Sequence, residues 1–217
     1  MHTIDIISDV SCPWCIIGYR SLEAALTELN AQDSVRINWL PFELNPEMPI
    51  EGQDRAEHIQ QKYGLSTEQG QANRQQLIDR GMDVGYQFNF PENGRVYNTF
   101  NAHRLIHWAK SHNRQTELKL ALFDLYFKHA GNPSDTNALL DCVSSVGLPV
   151  TEAQDILESD EISAEVRADQ QKNNQNGISA VPAFIFNNKY LVSGGQPKEN
   201  FIEILQQLDK EVSLGNT

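Results

Sequence analysis

Basic residues are scarce in this 217-residue chain: 17 Lys and Arg stand against 29 Asp and Glu, leaving a net charge of -12. Such a chain repels nucleic-acid phosphates and anionic membrane surfaces, so neither is an expected partner. Its apolar runs fall far short of the roughly 18 to 20 residues that span a bilayer, so no transmembrane segment is expected. The stretch after Met1, HTIDIISD, lacks a basic region, an apolar core and a small-residue cleavage site, which points to a cytoplasmic address. Cysteine is also sparse. Three are too few for a disulfide framework in a reducing compartment, and two of them, Cys12 and Cys15, form a CxxC. The chain is 40% hydrophobic, enough for a sizeable core in one large domain or one domain carrying an insertion.

The β character is confined to the two ends. Thr3 to Ile7 is short and β-branched and reads as a strand running into the CxxC. Tyr19, Leu22, Leu26 and Leu29 then recur at helical spacing, and Val35 to Phe42 alternates as a second strand. This strand, helix, strand unit of about 40 residues favours parallel strands. From Gly52 to about Leu157 the periodicity is helical with no convincing strand. Helices are predicted near Arg55 to Lys62, Thr67 to Met82, Thr99 to Ser111, Gln115 to Lys128, Asp135 to Val146 and Thr151 to Leu157. A further helix, Ile162 to Lys172, precedes short strands at Ala183 to Phe186 and Tyr190 to Val192, joined by Asn187-Asn188, a pair suited to positive φ. A last helix opens at Pro197 and is expected to bury Phe201, Leu205, Leu208 and Val212.

With Cys12 as the N-cap, Pro13 takes the first helical position, where its missing N–H costs nothing. The Cys12 sulfur then faces the free N–H groups of the first turn and the positive end of the helix dipole, which favours a thiolate. Cys15, four residues before Tyr19 and seven before Leu22, falls on the buried stripe, whereas Cys12 is expected at an exposed tip. Cys12 is therefore assigned as the nucleophile and Cys15 as the resolving thiol. A CxxC can also be half of a zinc site, but no second CxxC or closely spaced His pair completes one, and no metal is expected. Cys142 shares an apolar helix face with Leu139, Val143 and Val146 and reads as a buried structural cysteine. Asp9, three residues before Cys12, reads as a strand-end turn residue, with a proton relay as the alternative.

Five blocks carry a resemblance: Ser8-Asp9-Val10-Ser11-Cys12-Pro13-Trp14-Cys15; Pro41-Phe42-Glu43-Leu44-Asn45-Pro46; Asn98-Thr99 with Ala102-His103-Arg104-Leu105; Gly177-Ile178-Ser179-Ala180-Val181-Pro182-Ala183-Phe184; and Ser193-Gly194-Gly195-Gln196-Pro197. On these the chain resembles the DsbA-like thioredoxin superfamily, in its cytoplasmic FrnE-like branch. The resemblance implies an α/β fold, a thioredoxin fold interrupted by an all-helical insertion domain. Residues 1–48 and 158–217 would form a discontinuous thioredoxin-like domain and 49–157 the insertion. It implies a thiol-disulfide oxidoreductase whose catalytic Cys12 and Cys15 are supported by Pro13, Trp14, Val181 and Pro182. The Val181-Pro182 bond would be cis and packed beside Cys12, leaving Val181 backbone groups free to pair with an extended substrate. Asn98 and His103 would line the helical side of the cleft. Beyond the redox-active disulfide no cofactor is implied, and glutathione is admissible as substrate or reductant. Strongly oxidising members often carry His where Trp14 stands, so a less oxidising protein is expected here.

A second function stays open beside the first, a glutathione-dependent transferase or isomerase of the kappa or 2-hydroxychromene-2-carboxylate isomerase type. Those relatives usually have serine at the first motif position, where this chain has Cys12. A chaperone-like binding protein is the third reading. No motif speaks to the oligomeric state, the client or the working direction.

Overall fold

A computed structural model describes residues 1–215 of the chain. Four strands form one sheet in the order β2-β1-β5-β6: β1 His2–Ser8, β2 Val35–Pro41, β5 Ala183–Phe186 and β6 Tyr190–Ser193. The strand, helix, strand unit is parallel, with His2 opposite Val35 and Ser8 opposite Pro41. Strand β5 runs antiparallel to β1, and β6 antiparallel to β5. Both Asn187 and Asn188 adopt positive φ in the turn between β5 and β6, as their side chains allow.

Alternation along β1 sorts the two faces of the sheet. Ile4 and Ile6, with Phe184 and Phe186 beside them, enter the main core under α1 (Pro13–Glu28) and α9 (Lys198–Gly215). Ile7 points the other way into a small cluster with Ile178 and Ala183, near α8 (Ser163–Gln175). Helix α9 buries Phe201, Leu205 and Leu208, but Val212 is 53% exposed, against expectation. It lies one residue past Glu211, whose carboxylate accepts from the Tyr190 hydroxyl of β6, so the helix outruns the layer it covers.

Between the two halves of the sheet come α2 (Arg55–Tyr63), α3 (Thr67–Asp83), α4 (Phe100–Ala109), α5 (Gln115–Phe127), α6 (Thr136–Ser145) and α7 (Val150–Glu158). Their starts are set by local chemistry. The Asp54 carboxylate accepts from Glu57 N, Ser66 and Gln69 form a reciprocal capping box, and the Asp135 carboxylate accepts from Ala138 N. The expectation of a strand-free insertion needs one correction, because β3 (Gln53–Asp54) pairs antiparallel with β4 (Arg95–Val96). Two residues per strand are too few to leave an alternating pattern in sequence. Tyr86, Phe88 and Phe127 meet edge to face at 5.0 and 5.2 Å between ring centroids, joining the segment that follows α3 to the end of α5. Among the described residues no helix is long and apolar enough to cross a membrane.

Candidate active site

Strand β1 ends at Ser8 and delivers the chain directly to the cysteine motif. Asp9 O accepts from Cys12 N, which closes the turn, and Cys12 is the N-cap of α1 with Pro13 opening the helix. The Cys12 thiol donates to Val181 O over 3.7 Å, and the Val181-Pro182 bond is cis. The sequence placed Cys12 at an exposed tip, and here the structure corrects it: Cys12 is 3% exposed. Val181, 169 residues away in sequence, lies over the sulfur, and the helical segment walls off the other side. The sulfur also makes no capping hydrogen bond to the first turn.

Cys12 is reached through a cleft of about 510 Å³, with Cys12, Pro13, Trp14 and Val181 on one side and α2, α3 and the Phe90 and Tyr126 rings on the other. Cys15 is fully buried and is not part of the cleft lining. Burial pushes its thiol well above the ordinary range, and the adjacent Cys12 thiol pushes it further in the same direction. The positive charge of Lys119 acts against that rise.

Lys119 of α5 is only 1% exposed, and its ammonium lies 5.4 Å from the Trp39 ring and 4.9 Å from the Phe123 ring. Burial brings it down to about 8, while interactions with Cys15, Asp9 and Cys12 limit the fall. Asp9 is also buried and accepts from Leu44 N at 2.7 Å and Ser11 N at 3.2 Å. Burial alone would raise its carboxyl, yet the His103 imidazole, the Leu44 N–H and Lys119 outweigh that and hold it at about 2. The turn role expected of Asp9 is thus present together with a buried charge.

The two residues expected along the helical side of the cleft lie elsewhere. His103 is 2% exposed, with Nε2 3.5 Å from Asp9 Oδ1, behind the cysteine motif rather than in the cleft. Asn98 donates to Met48 O at 2.9 Å and accepts from Phe100 N at 2.8 Å, so its side chain anchors the start of α4. Helical spacing gives a face but not what covers it, and both polar side chains are taken up by packing. Cys142 is buried as expected, and burial pushes its thiol up to about 11. Among the described residues no three His, Cys, Asp or Glu side chains gather as metal ligands.

Sequence reasoning passed over Lys119 and Arg55. A lysine inside the run Leu118-Lys119-Leu120-Ala121-Leu122-Phe123 was a legible signal of a buried charge. Arg55 had no such mark, because it reaches the cleft from the first turn of a polar helix.

The family model of the DSBA-like thioredoxin domain matches residues 3–206. The crystal structure of a probable DsbA oxidoreductase from Streptomyces coelicolor is similar with a TM-score of 0.87 and 31% identity, over 95% of this chain and 89% of that one. The uncharacterized protein YwbO of Bacillus subtilis is 26% identical, over 96% of this chain and 98% of YwbO. The cytosolic disulfide reductase DsbM from Pseudomonas aeruginosa, solved with GSH, shares the fold at 15% identity, with a TM-score of 0.65 over 96% of this chain and 99% of that one. With a buried CxxC thiol at a helix start, a cis-proline segment against it, and a family match spanning nearly its whole length, this chain belongs to the DSBA-like thioredoxin family of thiol-disulfide oxidoreductases.

Proposed function

We propose that this chain exchanges disulfides with thiol or disulfide substrates through the Cys12-Pro13-Trp14-Cys15 motif, with Cys12 as nucleophile and Cys15 as resolving thiol. The observation that carries this reading is the unequal placement of the two sulfurs. Cys12 lines the cleft beside the Val181 carbonyl, whereas Cys15 is sealed beneath it. In the reductive direction the Cys12 thiolate attacks one substrate sulfur, the substrate S–S bond breaks, and the first substrate thiolate leaves. Cys15 then attacks Cys12 Sγ, closes the internal disulfide and releases the second substrate thiolate, so the substrate gains the two electrons that the pair loses.

A buried thiol held in its protonated form is a poor attacking group. The Lys119 charge offsets this by favouring a thiolate at Cys15, which makes Lys119 a positioning residue for the second step. Trp14 places no charge beside Cys12, consistent with a weaker oxidant than relatives with His at that position. Glutathione fits as substrate or reductant, and a cytoplasmic setting agrees with DsbM, which is described as cytosolic and was solved with GSH. The transferase or isomerase reading draws on the fold shared with 2-hydroxychromene-2-carboxylate isomerase, but Cys12 stands where serine is usual in that class.

Insulin-disulfide reduction with dithiothreitol separates these readings. Activity in the wild type that is lost in Cys12→Ser supports disulfide exchange. Activity that survives in Cys12→Ser, and that needs glutathione together with an electrophile, establishes the transferase reading instead.

A further inference from the structure

The cleft in front of Cys12 differs in charge from the rest of the molecule. The chain carries 29 acidic side chains, yet among the described residues no Asp or Glu lines the cleft, and Arg55 places a positive charge in its wall. Burial and the nearby Lys62 charge push the neighbouring His58 imidazole below its ordinary range, which favours the neutral ring. The remaining wall is largely aromatic and aliphatic, with Trp14, Tyr63, Leu77 and Phe90 among its members.

Arg55 is held ready in that wall. Its backbone N donates to Gly94 O at 2.9 Å, its guanidinium lies 5.3 Å from the Phe90 ring centre, and Nη1 reaches Pro91 O at 3.5 Å. A Cβ on residue 94 would fall 2.3 Å from Arg55 Cζ, so glycine is what lets the guanidinium lie flat there. A guanidinium has five N–H donors in a rigid fork matched to a carboxylate, and the contacts of Arg55 to Pro91 O and to the Tyr126 hydroxyl leave donors for a ligand.

Cavity volume and sulfur burial restrict the size of the occupant. About 510 Å³ falls within the roughly 300–1,000 Å³ range of small-molecule sites. A sulfur only 3% exposed in a walled cleft is reached more readily by a small disulfide than by one lying flat on a folded surface.

We propose that the cleft accepts low-molecular-weight disulfides whose arms carry a carboxylate on an apolar or aromatic body, with Arg55 binding the carboxylate while Cys12 attacks the disulfide. The proposal rests on Cys12 as the nucleophile and adds the substrate class. The chemical step is the one above: the reduced pair supplies two electrons, the Cys12–Cys15 bond forms, and two substrate thiolates leave. No other reductant is needed for a single turnover.

Single-turnover stopped flow with the reduced full chain tests this. The probes are 5,5′-dithiobis(2-nitrobenzoate), an aryl disulfide with two carboxylates, and 4,4′-dithiodipyridine, a neutral aryl disulfide, both of which release coloured thiols. Half-saturation concentrations are measured for each. In Arg55→Gln the ratio of the carboxylate probe's value to the neutral probe's value should rise about tenfold or more, as expected for loss of a charge-assisted hydrogen bond. Gly94→Ala, which keeps Arg55 but displaces its guanidinium, should raise the same ratio, so the test does not depend on one variant folding. An unchanged ratio in both variants overturns the proposal. Failure of the underlying reading looks different: Cys12→Ser would then release thiol from both probes as fast as wild type.

Discussion

Replacing Lys119 by methionine keeps the length of an apolar stem and removes an ammonium that is 1% exposed. In the fold this lysine titrates at about 8, against 10.5 for an ordinary one. At about 1.36 kcal/mol per pH unit, carrying the charge at pH 7 costs the native state on the order of 3 kcal/mol relative to the unfolded chain. The folded value is the lower one, so between about pH 8 and 10.5 the unfolded chain binds more protons and wild-type stability rises with pH. Urea denaturation of both proteins at pH 7 and pH 10 reads this directly. Lys119→Met is expected to be more stable than wild type at pH 7, by up to roughly 3 kcal/mol, with the gap narrowing by pH 10. The same variant should resolve mixed disulfides more slowly, because Cys15 loses a positive charge that favours its thiolate. A variant that is less stable at pH 7, or whose stability difference is the same at both pH values, refutes the reasoning.

Asp9 carries the opposite sign. Its folded value of about 2 lies below the ordinary 3.8, so it contributes about 2 kcal/mol that is present above about pH 4 and lost as pH falls toward 2. Acid titration of Asp9→Asn, followed by circular dichroism, should show a shallower loss of stability over that window than wild type. Gly81→Ala is expected to cost about 1–3 kcal/mol in a denaturant series, because its Cβ would sit 2.5 Å from the Phe88 ring and from Tyr86 O. Equilibration of the Cys12 and Cys15 couple with glutathione buffers should give a potential more reducing than about -120 mV, since Trp14 brings no positive charge to Cys12. A value that high or higher contradicts the reading of Trp14.

The features legible in sequence are those set within a few residues. Pro13 after Cys12 fixes the start of α1, Asn187-Asn188 fixes the turn between β5 and β6, and the spacing of Cys15, Tyr19 and Leu22 fixes the buried stripe. The cis bond at Val181-Pro182 followed from family resemblance rather than from local pattern. What escaped depends on distant partners. The burial of Cys12 needs Val181 and the far wall of the cleft, and the roles of His103 and Asn98 depend on Asp9 and Met48. Val212 obeys the helical period, yet the layer beneath it ends first. The paired β3 and β4 are too short for any periodic signal.

Trapping the covalent intermediate tests the division of labour between the two sulfurs most directly. Reduced Cys15→Ser protein is reacted with a disulfide substrate and digested without reductant, and the mixed disulfide is located by peptide mass spectrometry. A stable adduct on Cys12, absent from Cys12→Ser, is the predicted result. An adduct on Cys142 in its place, or one formed equally well by Cys12→Ser, would contradict it.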